Sequence, residues 1–160
     1  MRGGVNMKVH TTYRRFGTFL TVIFGAVMLL AGCGTTINYT YDPMANFSTG
    51  RNYCWAPGSL TNRQESLIAK NVYNYANQSL NAKGFTLVAA KPDFVISMNY
   101  ELEYPEAYSY RVRILNLSVY GAQSKEPIWQ GTAEGSIKAD AASPDLSVAV
   151  MKILANFPPK

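Results

Sequence analysis

Acidic side chains are the residues of this sequence best suited to catalysis or to cation binding. Glu101, Glu103 and Glu106 lie close together, and carboxylates at such a spacing can act as a general acid and base or bind calcium. We favour a simpler interpretation, a solvated strand face opposite arginines. Asp42 precedes a proline and Asp93 follows one, and aspartate beside proline is typical of turns. We therefore expect no catalytic residue and no bound metal or cofactor.

Other catalytic and binding motifs are missing from the sequence after residue 32. The single histidine, His10, precedes this point, so neither a Ser-His-Asp nor a Cys-His arrangement nor a histidine-dependent zinc site can form. Gly131 and Gly135 lack the Lys and Ser/Thr of a phosphate loop. Four of the 15 basic residues lie in residues 1–32, which leaves 11 against 10 acidic residues. This balance gives no reason to expect nucleic-acid binding.

Residues 1–32 have the organisation of a secretory signal peptide, and Cys33 follows them directly. A positively charged segment precedes an uncharged apolar run from Phe16 to Leu30. The four residues 30–33, Leu-Ala-Gly-Cys, resemble the lipobox of bacterial lipoproteins. This resemblance implies cleavage before Cys33, attachment of a diacylglyceryl group to its thiol and acylation of the new amine. Two or three acyl chains anchor a protein stably in a membrane.

The residues around this segment also bear on location. Gly34 follows Cys33, whereas many lipoproteins retained in the inner membrane have Asp there, so the resemblance implies the periplasmic leaflet of the outer membrane. The alternative is an uncleaved transmembrane anchor ending at Gly32, although that segment is short for a span. Translation can start at Met1 or at Met7.

Cys54 and the tyrosines are the remaining side chains of chemical interest. With Cys33 acylated, Cys54 has no disulfide partner within the chain. It is either a reactive thiol or the site of an intermolecular disulfide or, as we favour, a small buried apolar residue. Ten of the 11 tyrosines follow residue 32. Tyrosine suits binding surfaces because it joins apolar area to a polar tip, although aromatic residues also simply suit strands. Five lie on or near one predicted hairpin: Tyr100, Tyr104, Tyr108, Tyr110 and Tyr120.

These side chains must be positioned by a single domain, residues 37–160, which follows a short lipidated tether at 33–36. One helix is expected from Thr61 or Asn62 to about Lys83, with Gly84 as its stop, and a second after Ser143-Pro144. Alternating hydrophobicity predicts strands at 37–41, 52–55, 85–89, 93–104, 108–120 and 128–137.

The apolar faces of these elements predict the core. The sum is an α+β fold, a mainly antiparallel sheet of about five or six strands with two helices on one face. The first helix contributes Leu67, Ile68, Val72, Tyr75, Ala76 and Leu80, the second helix Leu146, Val150, Ile153 and Leu154, and the strand at 93–104 contributes Phe94, Ile96, Met98, Tyr100 and Leu102.

Charge complementarity suggests a register for the hairpin between strands 93–104 and 108–120. If Tyr104 pairs with Tyr108, then Glu101 faces Arg111 and Asn99 faces Arg113. The apolar residues of the second strand change face near Ile114, which predicts a β-bulge there.

Several short segments carry a resemblance that extends over nearly all of residues 37–160. They are Tyr41-Asp42-Pro43, Ala45-Asn46-Phe47-Ser48, Tyr53-Cys54-Trp55, Lys83-Gly84-Phe85, Pro92-Asp93-Phe94-Val95, Trp129-Gln130-Gly131-Thr132-Ala133 and the terminal run 153–160. In order and spacing they resemble the lipoproteins of domain-of-unknown-function family 4136. Cys54 and Gln130 depart from the family, which usually has Ala and Arg there. The resemblance implies an α+β periplasmic domain behind a lipid anchor, with no assigned activity.

We therefore expect a lipoprotein that is not an enzyme and that binds an envelope partner or supports the envelope. Its expected contacts are the membrane, through acyl chains on Cys33, and another envelope protein. One alternative is a lipid or small-ligand binding module with a groove lined by Met98, Tyr100 and Leu102. The other is a hydrolase of envelope polymers that uses Glu101, Glu103 and Asp42. The partner, the ligand and the oligomeric state are not specified by the sequence.

Overall fold

The computed structural model describes residues 34–57, 63–105, 110–140 and 143–159, with side chains from residue 67 onward in the second segment. Within this part of the chain, the residues from Thr35 onward belong to one compact unit. Cys33, the signal peptide, Glu106 and Tyr108 lie outside the described residues, as do the helix caps predicted at Thr61 and Asn62.

The described residues form six strands and two helices, which confirms the α+β class. The hydrogen-bonded order is β1-β6-β5-β4-β2-β3. β2 runs parallel to β3 and β4, whereas the other neighbours are antiparallel. The elements in chain order are β1 Thr36–Tyr41, β2 Asn52–Trp55, α1 Arg63–Ala82, β3 Thr86–Leu87, β4 Phe94–Glu103, β5 Arg111–Gly121, β6 Pro127–Lys138 and α2 Asp145–Ala155.

Alternation along the strands divides the sheet into two faces. The inner face packs against α1 and α2, because its apolar side chains can leave water only under the helices. In β5, Val112, Leu115, Leu117 and Val119 all lie on this face with 0% exposure. From α2 the predicted residues Leu146, Val150, Ile153 and Leu154 are buried against them.

The first helix corrects one core prediction. Ile68, Val72, Ala76 and Leu80 are buried as predicted, but Leu67 is 56% exposed. Successive helical residues are rotated by about 100°, so Leu67 lies on the far side of α1 from the buried stripe. The predicted stop is confirmed: Gly84 has φ of 82°, a conformation that glycine adopts without strain.

The start of α2 agrees with the prediction to within one residue. The helix begins at Asp145, and its first internal hydrogen bond runs from the Val148 N–H to the Pro144 carbonyl at 2.9 Å. Pro144 therefore takes the predicted place of Ser143 at the N-cap, where no side chain caps the helix. Oγ of Ser143, one residue earlier, accepts a hydrogen bond from the Asp145 N–H at 3.2 Å. The strand predicted at 85–89 is shorter than expected and comprises only Thr86–Leu87.

The predicted hairpin register is wrong, although the predicted bulge is confirmed. Glu101 pairs with Ile114 instead of Arg111, and Asn99 pairs with Asn116 instead of Arg113. Residues 104–110 connect β4 to β5, and this connection is longer than the tight turn that the prediction assumed. The register then shifts between Glu101 and Leu102, which leaves Arg113 as the extra residue of the bulge.

An aromatic cluster closes the end of the core where β5 ends and β6 begins. The Phe157 ring lies 5.2 Å from that of Trp129, 5.3 Å from that of Phe85 and 6.2 Å from that of Phe94, measured between centroids. Nζ of Lys83 donates hydrogen bonds to the carbonyls of Leu154 at 2.5 Å and Phe157 at 2.6 Å. These contacts fix the carboxyl end of α2 to the end of α1.

Candidate functional site

The sheet face opposite the helices carries uncharged polar side chains from four adjacent strands. Partners in a sheet point to the same side, so the pairing places these residues in two rows across the strands. The first row is Asn38, Thr132, Asn116 and Asn99, and the second is Thr40, Gln130, Ser118 and Ser97. We call these eight residues the open polar face.

Amide and hydroxyl groups give the open polar face a distinctive chemistry. Each amide offers both donors and acceptors, and each hydroxyl can serve as either. Oγ1 of Thr132 donates a hydrogen bond to Oδ1 of Asn116 at 2.5 Å, which links β6 to β5 at the centre of the face. Asn38, Thr40, Asn99 and Gln130 are exposed. Such a surface can bind a partner through hydrogen bonds without needing charge complementarity.

Charged and aromatic residues lie at the end of the sheet where β1 begins and β4 ends. Nη2 of Arg113 donates a hydrogen bond to Oε2 of Glu101, and both side chains are more than half exposed. Nη1 of Arg111 donates to Oγ of Ser136 at 2.8 Å, and that hydroxyl donates to Oε1 of Glu103 at 2.6 Å. Glu101 and Glu103 therefore take part in a surface hydrogen-bond network.

The structure does not bring together the carboxylates of the hydrolase alternative. Oδ1 of Asp42 accepts a hydrogen bond from the Met44 N–H at 2.8 Å, the turn contact expected beside a proline. Asp42 follows the last residue of β1, whereas Glu101 shares a row with the first residue of that strand. Three inter-strand spacings of roughly 4.8 Å and several residues of roughly 3.3 Å separate the two. Within the described ranges, no group of three or more metal-binding side chains occurs.

Asp93 has a structural role that sequence reasoning missed. Its Oδ2 accepts hydrogen bonds from the Arg51 and Asn52 N–H groups, both at 2.9 Å. The carboxylate therefore joins the start of β2 to the start of β4. In the sequence, Asp93 is marked only by the proline before it, and that pattern does not specify a hydrogen-bond partner more than 40 residues away.

The groove predicted at Met98, Tyr100 and Leu102 is filled in the part of the chain that the structure describes. All three side chains lie on the inner face, where they are partly buried and pack against the core. A cleft of about 420 Å³ lies elsewhere, between α1 and β2–β3. Its lining consists of Tyr53, Asn77, Asn81, Phe85, Thr86 and Leu87.

Asn77 organises one wall of this cleft. Its Oδ1 accepts hydrogen bonds from the Tyr53 hydroxyl at 2.8 Å and from Nε1 of Trp55 at 2.9 Å. Burial raises the pKa of Tyr53, because removal from water disfavours the phenolate. The phenol therefore stays protonated and keeps donating to Asn77, which makes this contact a stable link between α1 and β2.

Cys54 and the tyrosines are placed differently from one another. Cys54 is a free thiol that is half-buried, so its expected burial is only partly reached, and it pairs with Val95 on the side away from the helices.

Tyr104 and Tyr110 form an edge-to-face pair with ring centroids 5.5 Å apart. Tyr100 belongs to the inner face, and Tyr120 lies at the opposite end of the sheet. Of the predicted tyrosine cluster, Tyr104 and Tyr110 are therefore in ring contact, whereas Tyr120 lies far from them.

The fold and sequence have known counterparts. The model of the family described as domain of unknown function (DUF4136) matches residues 37–159. No curated protein matches the chain. Across the described residues, no helix is long and apolar enough to cross a membrane.

Solved structures share the fold at low sequence identity. A PelC dodecamer from Paraburkholderia phytofirmans is 14% identical with a TM-score of 0.54, covering 76% of this chain and 96% of that one. A variant of the same dodecamer is 15% identical with a TM-score of 0.55, covering 76% of this chain and 95% of that one. A PDZ domain protein from Parabacteroides distasonis is 14% identical with a TM-score of 0.56, covering 84% of this chain but 39% of that one. These identities establish likeness of fold alone.

Proposed function

The chain belongs to the DUF4136 family, and on that premise we propose that it is a lipid-anchored envelope protein whose domain binds a partner through the open polar face. The proposal places Cys33 in the periplasmic leaflet of the outer membrane and gives the domain no enzymatic activity of its own. The partner is another envelope protein, and a second copy of this chain is included in that class.

The anchoring part of the proposal is supported by the arrangement of the N-terminal segments. Residues 30–33 resemble a lipobox and follow a charged and then apolar leader. The family match begins at residue 37, and β1 begins at Thr36. The folded domain therefore starts almost directly after the residue that would carry the acyl chains.

The open polar face is the observation that supports partner binding. Eight positions on four adjacent strands carry no charge, although charged residues are normally a large part of a protein surface. Loss of charge at the centre, with charged residues around it, is a property of protein interfaces. Glu101, Arg113 and Glu134 supply such a rim at one end of the face.

A second copy of the chain is the first partner to test. Both PelC structures with this fold are dodecamers, and the match covers nearly all of each of those chains. At 14–15% identity the likeness is one of fold, so self-association is a hypothesis that needs its own measurement.

Two asparagines provide a matched test of the binding face. Asn99 lies on the open polar face and Asn74 on the exposed side of α1, and both are exposed. We expect Asn99→Arg to abolish recovery of the partner from cross-linked cells, because an unpaired charge at an interface is strongly unfavourable. Asn74→Arg adds the same charge elsewhere and should leave recovery unchanged.

The outcomes of this test separate the parts of the proposal. A cross-linked product at a multiple of the protomer mass identifies a second copy, and any other reproducible mass identifies a different protein. Equal recovery with both variants would contradict the assignment of the open polar face. Recovery of no partner from wild-type cells would contradict the binding function itself.

Anchoring has a separate test. Protein purified from membranes should have the mass of residues 33–160 plus two or three acyl chains, and a Cys33→Ser variant should lack that species. An unprocessed mass for the wild-type chain would mean that the segment before Cys33 is a transmembrane anchor instead.

A further inference from the structure

The tether between the predicted lipid and the folded domain is very short. Cys33 and Thr36 are separated by three residue steps, and an extended chain spans at most about 3.6 Å per residue. Thr36 is already hydrogen-bonded into the sheet, where it pairs with Glu134 of β6. If Cys33 is acylated, covalent geometry holds this end of the domain within roughly 11 Å of the modified residue.

The sheet register identifies what else lies at this end. Thr36, Glu134, Ile114 and Glu101 form one row across β1, β6, β5 and β4. β1 starts at this row, and β4 runs through it in the opposite direction. Tyr104 lies three residues beyond Glu101, on the same side of the row as the chain that leads back to Cys33.

Tyr104 is unusually exposed for an aromatic residue at this position. It is 63% exposed, and its ring packs edge-to-face on Tyr110. An apolar ring with a polar tip suits the headgroup level of a membrane, where tyrosine is enriched in membrane proteins. The pair of rings is held at the end of two long paired strands, which gives it a defined position.

Charge around the tyrosines is balanced. Arg113 pairs with Glu101, and Arg111 and Glu103 share the hydroxyl of Ser136. Lys138, which pairs with Arg111, is offset by Glu134, so the described residues at this end have no excess positive charge of the kind that attracts anionic lipids. A membrane contact here must therefore depend on the tether and the aromatic rings, with little dependence on salt or anionic lipid.

We infer that Tyr104, supported by Tyr110, contacts the lipid headgroup region and holds the domain upright on the membrane next to its anchor. The inference rests on the lipidation in the proposed function, and it specifies the membrane as the occupant of this end. With the strands standing on the membrane, the open polar face is directed along the membrane plane toward neighbouring envelope proteins.

Spin labelling provides the test. In a Cys54→Ser background, Cys33 is acylated, so Pro105→Cys introduces the sole free thiol for a nitroxide label next to an intact Tyr104, at an exposed position. Gln123→Cys is the matched control, because Gln123 is exposed in the loop at the opposite end of the sheet. The full-length lipidated protein is placed in vesicles of phosphatidylethanolamine and phosphatidylglycerol, and label accessibility to a water-soluble nickel chelate is measured.

We expect the label at position 105 to be severalfold less accessible to nickel than the label at position 123, which remains fully accessible on the same vesicles. The protection at position 105 should persist at high salt and without phosphatidylglycerol. Equal accessibility at both positions, in protein that floats with the vesicles, would overturn the membrane contact and leave the anchoring intact. Protection at position 105 in cell membranes but not in lipid vesicles would assign this end of the sheet to a protein partner and would also overturn the membrane contact.

A failure of the proposed function gives a different result. If Cys33 is not acylated, the protein carries no acyl mass and does not float with the vesicles, whatever residue is labelled. A companion variant, Tyr104→Ser, removes the ring without touching the core. It should float like the wild type, and the label at Pro105→Cys should be more accessible to nickel than the same label in the presence of Tyr104.

Discussion

Leu117 and Ser118 are neighbours in β5, yet they lie on opposite faces of the sheet and in opposite environments. Leu117 is 0% exposed under the helices, whereas Ser118 is part of the open polar face. Each face is continued by the paired residues of β4 and β6. One strand thus provides stability with one set of residues and a candidate binding surface with the alternate set, so substitutions on the two faces should be separable in their effects.

The largest expected effect comes from truncating the inner face. Leu117→Ala should lower the free energy of unfolding by about 2–5 kcal/mol, because it removes buried methyl groups and leaves a cavity. Ser118→Ala, one residue away, should change it by less than about 0.5 kcal/mol. Urea denaturation of the two purified variants measures both values. Similar losses in the two variants would contradict the division of the sheet into a stabilising face and a binding face.

Adding a methyl group to the packed inner face should lower the free energy of unfolding by somewhat less than Leu117→Ala does. A Cβ added at Gly131 would lie 2.4 Å from Cη2 of Trp129 and 2.6 Å from Cγ2 of Ile153. Gly131→Ala should therefore destabilise the domain by about 1–3 kcal/mol, because a packed core must shift to accept the methyl group.

Gly121→Ala is the control for this overpacking. Its added Cβ meets chiefly the hydroxyl of Ser124, which can rotate away. A thermal melt in which Gly121→Ala loses as much stability as Gly131→Ala would show that α2 does not press on β6 as the structure indicates.

The alkaline stability of the domain should depend on Tyr53, at the edge of the inner face. Burial raises the pKa of its phenol above 10.0, whereas the unfolded chain ionises near that value. The unfolded state therefore loses this proton first as pH rises, and the free energy of unfolding falls above pH 10. Below pH 10 the phenol is protonated in both the folded and the unfolded state, so it does not change the free energy of unfolding with pH.

A Tyr53→Phe variant tests this assignment. It should show a smaller alkaline loss than the wild type, together with a cost of about 1 kcal/mol at neutral pH for the missing hydrogen bond to Asn77. An unchanged slope in Tyr53→Phe would mean that other groups govern the alkaline transition.

The smallest effect is expected beside the open polar face. Glu101→Gln breaks the ion pair with Arg113, but both side chains are exposed, so the loss should be about 0–1 kcal/mol. All three variants, Glu101→Gln, Glu103→Gln and Asp42→Asn, should leave growth and envelope integrity unchanged. A severe envelope defect from any of the three in a normally folded protein would favour the hydrolase alternative over the binding function.

Local patterns predicted the elements and the inner face well. Strict alternation in β4 placed Phe94 and Ile96 inward, and the three-to-four-residue repeat placed most of the buried residues of α1. These patterns suffice because a strand or helix has a fixed period, and burial of one side depends on that period. Leu67 shows the limit, since a hydrophobic residue outside the stripe is simply left exposed.

Interactions between distant segments could not be predicted in the same way. The register of β4 and β5 depends on the length of their connection and on the bulge residue Arg113, and charge complementarity favoured another pairing. Asp93 bonds to N–H groups of Arg51 and Asn52, and Lys83 bonds to carbonyls at the end of α2. Such contacts are determined by tertiary packing, for which a single sequence contains no local signal.

The open polar face also required the structure. Its residues come from four strands, and none of them is unusual within its own segment. Only the strand order, with β6 and β5 between β1 and β4, brings them into two continuous rows.

The most direct test of the central claim compares two glutamines by photo-cross-linking in living cells. Gln130 lies on the open polar face and Gln78 on α1, and both are exposed. A photoreactive residue at Gln130 should give a discrete cross-linked product that is absent when the same residue replaces Gln78. A product at Gln78 and none at Gln130, in protein anchored through Cys33, would contradict the account by moving the binding surface from the sheet to the helices.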